Sequence, residues 1–312
     1  MKILITGGAG FIGSNLSRYI LNTGKHEVRV LDDLSTGEAE NLAGLDVEFI
    51  QGTILDEAVL ATQMSSVDAV IHLGAIPSVP RSIQNPMRSH HANATGTLNV
   101  LEAAKAAGVE QVVVASSSSV YGSNPVSPKS EFDWTRPMSP YAVSKHATEG
   151  YAIAYNYAYG MKNLAFRFFN VYGPGQLAGH AYAAVIPQFI DAALRGVPLT
   201  VTGDGTQSRD FTYIDSVCEA LLRSVEQRTT SHDPVNLAFG SNTSLLELIE
   251  LLQTQLGRDL EVDFVPERVG DVKASKADNH RLSELFPDIH PFDIEVGLAN
   301  TIAWHQNRTH SE

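Results

Sequence analysis

Two short stretches of the 312-residue chain carry side chains able to move protons. In SPYAVSKHATEG, Tyr141 and Lys145 stand four residues apart, just after Pro140. Proline suits the first position of a helix, and an i,i+4 pair shares one helical face. A free tyrosine has a pKa of about 10, too high for a base at neutrality, and a neighbouring ammonium favours the phenolate. Taken alone, Tyr-x-x-x-Lys also occurs on ordinary surface helices. The second stretch is ASSSSVYG, where Ser116, Ser117, Ser118 and Ser119 offer consecutive hydroxyls. Such a run suits a linker, a phosphorylation tract or an active site. The QVVVA before it is β-branched and apolar, so the serines stand where a buried strand ends.

The elements that would hold these groups read clearly over the first two-thirds of the chain. Apolar runs KILIT (2–6), EVRVLD (27–32), VEFIQG (47–52), AVIHLG (69–74), QVVVAS (111–116) and NLAFRFFN (163–170) predict strands. Helical patterns fall between them, including 12–23, 92–107 and 140–159. Continuously apolar strands suit a parallel sheet covered on both faces. Strand–helix repetition of this kind predicts a doubly wound, Rossmann-type α/β fold. After about residue 173 the pattern loosens, with a Gly/Pro-rich loop GPGQLAGHAY and helices expected over 183–195, 215–227 and 243–256. PLTVTGDG reads as a hairpin-like segment. The expected division is a sheet domain of residues 1–172 and a smaller, intertwined α/β lobe of 173–312, parts of which return to the sheet.

Where the first strand ends, ILITGGAGFIGSNL turns into a helix with glycines at 7, 8, 10 and 13. Small residues there let backbone N–H groups approach a pyrophosphate at the helix's positive end. A tight turn would also explain glycines, but here an apolar strand precedes the cluster and an apolar helix follows it. The second strand ends at Asp32, 19 residues after Gly13. An acid at that spacing accepts from both adenosine ribose hydroxyls and repels a 2′-phosphate. NAD is therefore expected rather than NADP; capping of the following LSTG loop is the plain alternative for Asp32 and Asp33. The charge of a nicotinamide ring would join that of Lys145 in favouring the Tyr141 phenolate, and Lys145 could also hold the nicotinamide ribose.

Composition narrows the field. Charged residues are 18% and hydrophobic residues 43%, which suits a folded chain and excludes a disordered one. A net charge of −13 without a Lys/Arg block argues against nucleic acid as a partner. Cys218 is the only cysteine, so neither a disulfide framework nor a Cys-rich zinc site is expected. No metal is expected, and a reducing cytoplasm is the natural setting. The first residues are broken by glycines and do not read as a leader, and no run of about 18 apolar residues predicts a membrane span.

TGGAGFIGS, VLDDLSTG, VIHLGA, SVPRSIQNP, NATGTLNVLEAA, SSSSVYG, SPYAVSK, RFFNVYGPGQ, GDGTQSRDFTYIDSV and ERVGDVKASKAD run nearly end to end. Together they resemble the extended short-chain dehydrogenase/reductases of the nucleotide-sugar epimerase/dehydratase family. The resemblance implies NAD as cofactor and a UDP-sugar as substrate. It gives Ser117 the place of the catalytic serine, with Tyr141 as base and Lys145 beside it, and puts Tyr121 in a structural VYG turn. Gly7, Gly10, Phe11, Ile12 and Gly13 resemble the pyrophosphate loop, Asp32 the ribose ligand, and Asp33, Ser35, Thr36 and Gly37 the turn after it. Leu73, Gly74 and Ala75 resemble the strand end under the cofactor, steadied by Asn93, with Ser116 and Phe168 near the nicotinamide and Ile54 a further cofactor contact. Thr53 departs from the family, which usually has an acid there for the adenine amino group. Its Oγ or the backbone would replace that contact.

For the substrate, the resemblance implies Arg209 and Arg268 on the diphosphate and Asp271 on the uridine ribose. Two guanidiniums can make forked, charge-assisted bonds to phosphate even on an acidic protein, although either alone would also suit a surface ion pair. Ser78, Val79, Arg81, Ser118, Ser119 and Asn170 are implied as further substrate contacts, as are Ala184, Val185, Thr200 and Ser275. Helices 92–107 and 140–159 resemble those that pair in homodimeric relatives; core packing explains the same composition.

Dehydratases of this family carry Asp-Glu just before VYG, and decarboxylases usually keep a Glu there. Here Ser118 and Ser119 occupy those positions and cannot act as carboxyl acid and base. The resemblance then leaves C4 epimerisation through a 4-keto sugar. A bulky Tyr commonly stands at the position of Ser275 in epimerases restricted to UDP-glucose and UDP-galactose, so serine leaves room for an N-acetyl group. UDP-GlcNAc/UDP-GalNAc are expected first, with UDP-Glc/UDP-Gal also accepted. UDP-glucuronate ranks second, because relatives acting on it usually carry Thr in place of Asn170 and an Arg soon after YGP. A non-catalytic NAD-binding sensor would suit the fold but has no need of Ser117, Tyr141 and Lys145.

Overall fold

The structure, a computed structural model, describes residues 1–178, 184–266 and 274–309. Seven strands form one all-parallel sheet: β1 (Lys2–Thr6), β2 (Glu27–Asp32), β3 (Glu48–Gln51), β4 (Ala69–His72), β5 (Val112–Ser117), β6 (Leu164–Phe168) and β11 (Val235–Leu237). Their order is β11-β6-β5-β4-β1-β2-β3. Alternate side chains enter opposite cores. Ile3, Ile5, Val30 and Val113 pack towards α1 (Phe11–Asn22) and α8 (Ile214–Glu226), where Leu16, Ile20, Val217 and Leu221 meet them. Leu4, Val70, Val112 and Val114 pack the other way, onto α2 (Glu57–Gln63), α5 (Gly96–Ala107) and α6 (Pro140–Tyr159). Burial on both faces is why the inner strands read as apolar runs, whereas the edge strand β3 is largely exposed.

Six of these strands match the expected ones to within a residue or two. The seventh, β11, comes from the later part of the chain and pairs with β6. The expected helix over 92–107 is preceded by α3 (Val79–Gln84) and α4 (Pro86–His90), and it enters through a π-helical turn at His91–Thr95. α6 is well marked at both ends: Ser139 Oγ accepts from Ala142 N at 3.1 Å, Pro140 occupies the first turn, and Gly160 closes the helix at φ 69°.

Beyond residue 170 short strands predominate. β7 (Val171–Tyr172) pairs with β10 (Thr212–Tyr213), and β9 (Ser208–Arg209) lies between β12 (Thr243–Ser244) and β14 (Ala274–Ser275). PLTVTGDG is not a hairpin. Its strand β8 (Leu199–Thr202) pairs in parallel with β13 (Val262–Val265), while the chain after the Gly203–Gly205 turn joins a different sheet. Burial of Leu199 and Val201 beneath α7 (Val185–Arg195) fixes β8 from one side, so the turn need not bring back a ladder. α9 (Leu245–Leu256) starts on a capping box of Ser244 and Glu247, and α10 (His280–Leu285) and α11 (Ile294–Thr309) complete the chain. Among the described residues no helix is long and apolar enough to cross a membrane.

Candidate active site

The carboxyl ends of β1, β2, β4 and β5 open onto a cavity of about 530 Å³, where an open parallel sheet places its ligands. Gly7, at φ 73°, turns the chain out of β1. A Cβ on Gly7 would fall 2.6 Å from Gly74 N, and one on Gly13 would fall 2.4 Å from Gly7 O, so neither tolerates a side chain. Gly10 caps α1 with no side-chain hydrogen bond, which leaves the first N–H groups of the helix free to meet an anion. These glycines, with Phe11 and Ile12, line the cavity. The residues present therefore fit a dinucleotide pyrophosphate.

Asp32 caps the loop that follows β2. It borders the cavity, and its carboxylate accepts from Ala9 N at 2.9 Å and Leu34 N at 2.8 Å, tying the glycine loop to the turn after β2. Burial pushes its pKa up, against those two bonds. Asp33, Ser35 and Thr36 line the same end, as do Thr53 and Ile54. Gly37 lies behind the wall, where a Cβ would press on the Ala9 carbonyl carbon at 2.8 Å.

At the other end Ser116, Ser117, Tyr141, Lys145 and Phe168 come together with Leu73, Gly74 and Ala75. Burial raises the Tyr141 pKa, and the neighbouring Ser117 hydroxyl works in the opposite direction. Burial pushes Lys145 down to about 8. The expected lowering of Tyr141 by the Lys145 ammonium is not what the protein alone provides. Lys145 Nζ instead donates to the Ala115 carbonyl at 2.8 Å, and desolvation dominates both groups. Ser117 Oγ also accepts from Ser119 N at 3.2 Å, which fixes the strand end.

Behind this wall runs a buried polar network that sequence reasoning only touched. Asn93, off the cavity, accepts from Ile76 N at 2.8 Å and donates to Ser144 Oγ at 2.9 Å, joining the segment after β4 to the Tyr141 helix. His72 bridges Thr6 Oγ1 at 2.6 Å and Thr97 Oγ1 at 3.0 Å, and burial drives its pKa down to about 3. A lone histidine in the apolar VIHLG strand was the available signal. Glu149 was signalled by the four-residue repeat from Tyr141 and Lys145.

The proposed sugar contacts divide. Ser78, Arg81 and Ala184 line the cavity. Val79 is exposed at the start of α3, Ser118 and Ser119 lie in the turn after β5, and Val185 opens α7; none of them lines the cavity. Asn170, at φ 33°, donates to the Asp210 carbonyl at 3.0 Å. Thr200 is exposed on β8, because Leu199 and Val201 take the buried side of that strand. Arg209 and Ser275 face each other in register on β9 and β14, outside the cavity wall. Arg268 and Asp271 lie outside the described residues.

The model of the family described as "NAD dependent epimerase/dehydratase family" matches residues 3–238. A UDP-glucose 4-epimerase of Mycolicibacterium smegmatis is 36% identical over 99% of this chain and 100% of its own length. A UDP-glucuronate 4-epimerase of Thermodesulfobacterium geofontis is 33% identical over 96% of this chain and 95% of its own. A solved UDP-N-acetylglucosamine 4-epimerase from Methanobrevibacter ruminantium M1, in complex with UDP-N-acetylmuramic acid, superposes with a TM-score of 0.93 at 35% identity, covering 98% of each chain. The glycine cradle, the acid at the end of β2 and the Ser–Tyr–Lys group thus stand in a chain that belongs to the NAD-dependent epimerase/dehydratase family.

Proposed function

We propose that the protein is a UDP-hexose 4-epimerase acting first on UDP-GlcNAc/UDP-GalNAc and also on UDP-Glc/UDP-Gal. The observation that carries this reading is the meeting of Ser117, Tyr141 and Lys145 in the cavity that the glycine cradle also lines, with serines at 118 and 119 in place of carboxyl groups. Bound NAD supplies a hydride acceptor that returns what it takes. Ser117 holds the substrate O4, and Tyr141 takes its proton and gives it back after the sugar has turned over. Burial of Lys145 and Tyr141 keeps bulk water from competing for that proton. Ser118 and Ser119 offer no carboxyl to eliminate water, which supports epimerisation over dehydration. Exposed Val143, Tyr151 and Tyr159 on α6, beside Ile83 and Met87 on α3 and α4, support a homodimer, and the buried lone thiol Cys218 suits a reducing cytoplasm.

UDP-glucuronate is the second reading, favoured by Arg81: it lines the cavity and makes no ion pair among the described residues, so a carboxylate would find a counter-charge there. NMR of UDP-GlcNAc, UDP-Glc and UDP-glucuronate, each incubated with the purified protein, separates these outcomes. Inversion at C4 of the first two without added nucleotide is expected. Inversion of UDP-glucuronate alone selects the second reading. Dehydration, or dependence on added NADPH, overturns both.

A further inference from the structure

Tyr141, Lys145 and Glu149 recur every four residues along one face of α6, yet the proton chemistry needs only the first two. The Glu149 carboxylate is buried and accepts four hydrogen bonds. Oε2 takes Ser116 Oγ at 2.7 Å and Arg167 Nε at 3.0 Å; Oε1 takes Arg167 Nη2 at 2.7 Å and His146 Nδ1 at 3.1 Å. Arg167 stands in register with Ser116 across β5 and β6, and its guanidinium lies 4.7 Å over the Tyr121 ring. Burial works against the Glu149 carboxylate, but the His146, Arg167 and Ser116 bonds outweigh it and hold the group ionised.

The consequence falls on Ser116, which borders the cavity beside Ser117. A serine hydroxyl ordinarily rotates to donate or accept as its neighbours require. Ser116 Oγ faces Glu149 at 2.7 Å and the Lys145 carbonyl at 3.2 Å, and both are acceptors with no hydrogen to give. Its single proton therefore belongs to α6 whichever it takes. Ser116 is almost wholly buried at the cavity wall, and a cavity group that reaches its Oγ meets only lone pairs.

We propose that Glu149, kept ionised by Arg167, is a positioning residue that makes Ser116 an obligate hydrogen-bond acceptor on the cofactor wall, selecting the carboxamide N–H of a nicotinamide ring. The assignment rests on NAD as the cofactor of the proposed epimerase. It gives the cavity a division of labour: Ser117 remains free to share a proton with Tyr141 and the substrate, while Ser116 cannot donate to either.

The test is exchange of bound NAD against 3-acetylpyridine adenine dinucleotide, in which a ketone replaces the carboxamide and no N–H remains. The wild type should prefer NAD about tenfold, the scale of one net hydrogen bond. Ser116→Ala should bring the preference close to unity. Glu149→Gln should reduce it, and the double variant should behave as Ser116→Ala alone, because Glu149 acts only through that hydroxyl. Glu149→Gln leaves the buried Arg167 without its anion and can fail to fold; Ser116→Ala and its rescue by Ser116→Thr then decide the matter. A wild type that does not discriminate, a preference that survives Ser116→Ala, or independent effects in the double variant would each overturn the assignment. A Glu149→Gln protein that melts earlier with its preference intact would do the same. A wild type that prefers NAD as expected but inverts no UDP-sugar supports this role of Ser116 and removes the epimerase reading instead.

Discussion

Around the ends of β1, β4 and β5 the polar side chains beneath the cavity are engaged with one another. Thr6, His72, Thr97, Asn93 and Ser144 form one chain of hydrogen bonds, and Ser116, Glu149 and Arg167 form another. The chain from residue 171 onward is held differently. Its strands β7, β9, β10, β12 and β14 are two residues long, and one buried acid ties several of its segments together. Asp210 accepts from Gly240 N at 3.0 Å, Ser241 Oγ at 2.9 Å and Ala277 N at 3.1 Å. Proton and hydride transfer need atoms held in place, and a continuous buried sheet with interlocked polar groups supplies that. Choice of sugar needs only a wall that can be re-cut, and short strands let one side chain change it without disturbing the sheet.

The largest expected effect lies on the rigid side. On the proposed mechanism, Tyr141→Phe removes the base for the O4 proton and should lower kcat by about three orders of magnitude. Bound NAD and UDP affinity should persist, because Gly7, Gly10 and Asp32 are untouched. Rates and nucleotide content measured on the same preparation check this. A loss smaller than tenfold would remove Tyr141 from the mechanism and break the contrast at its strongest point.

Next comes the network itself. His72 is held neutral with its pKa lowered from 6.5 to about 3, chiefly by burial and then by the Lys145 charge. The unfolded chain therefore binds a proton that the folded chain refuses. The stability this group contributes is complete above pH 6.5 and is lost as pH falls towards 3. Between pH 6.5 and 5 the loss should be about 2 kcal/mol. Urea unfolding at those two pH values should show that slope in the wild type and a shallower one in His72→Gln, which starts lower but no longer charges. Equal slopes would mean that the network does not exclude the proton.

What could be read from the sequence follows the same divide. The six early strands, the glycine turn and the Tyr141–Lys145 pair are local: each rests on residues within a single strand–helix unit, so periodicity and spacing expose them. The role of Glu149 is not local, since its meaning comes from Arg167 on a strand 18 residues later and from Ser116 across the sheet. Likewise β8 finds its partner in β13 rather than in the chain that follows its own turn, a choice made by burial of Leu199 and Val201. Thr200 is turned outward for the same reason. A motif match assigns a residue to a neighbourhood, while strand pairing decides which way it faces.

The smallest expected effect tests the adaptable side. Ser275 is half-buried on β14, in register with Arg209 of β9, and its carbonyl accepts from Asp210 N at 2.8 Å. That bond belongs to the backbone, so Ser275→Tyr leaves the pairing of β9 and β14 in place and changes only the volume beside Arg209. If this strand faces the sugar when substrate is bound, the tyrosine ring takes the space of an N-acetyl group. kcat/KM for UDP-GlcNAc should then fall about tenfold more than kcat/KM for UDP-glucose, the scale of a group gained or lost in a pocket. Melting temperature and NAD content should stay close to those of the wild type. Parallel loss on both sugars would show that Ser275 is no gate, and would put the discrimination on the cavity residues Ser78, Arg81 and Ala184 instead.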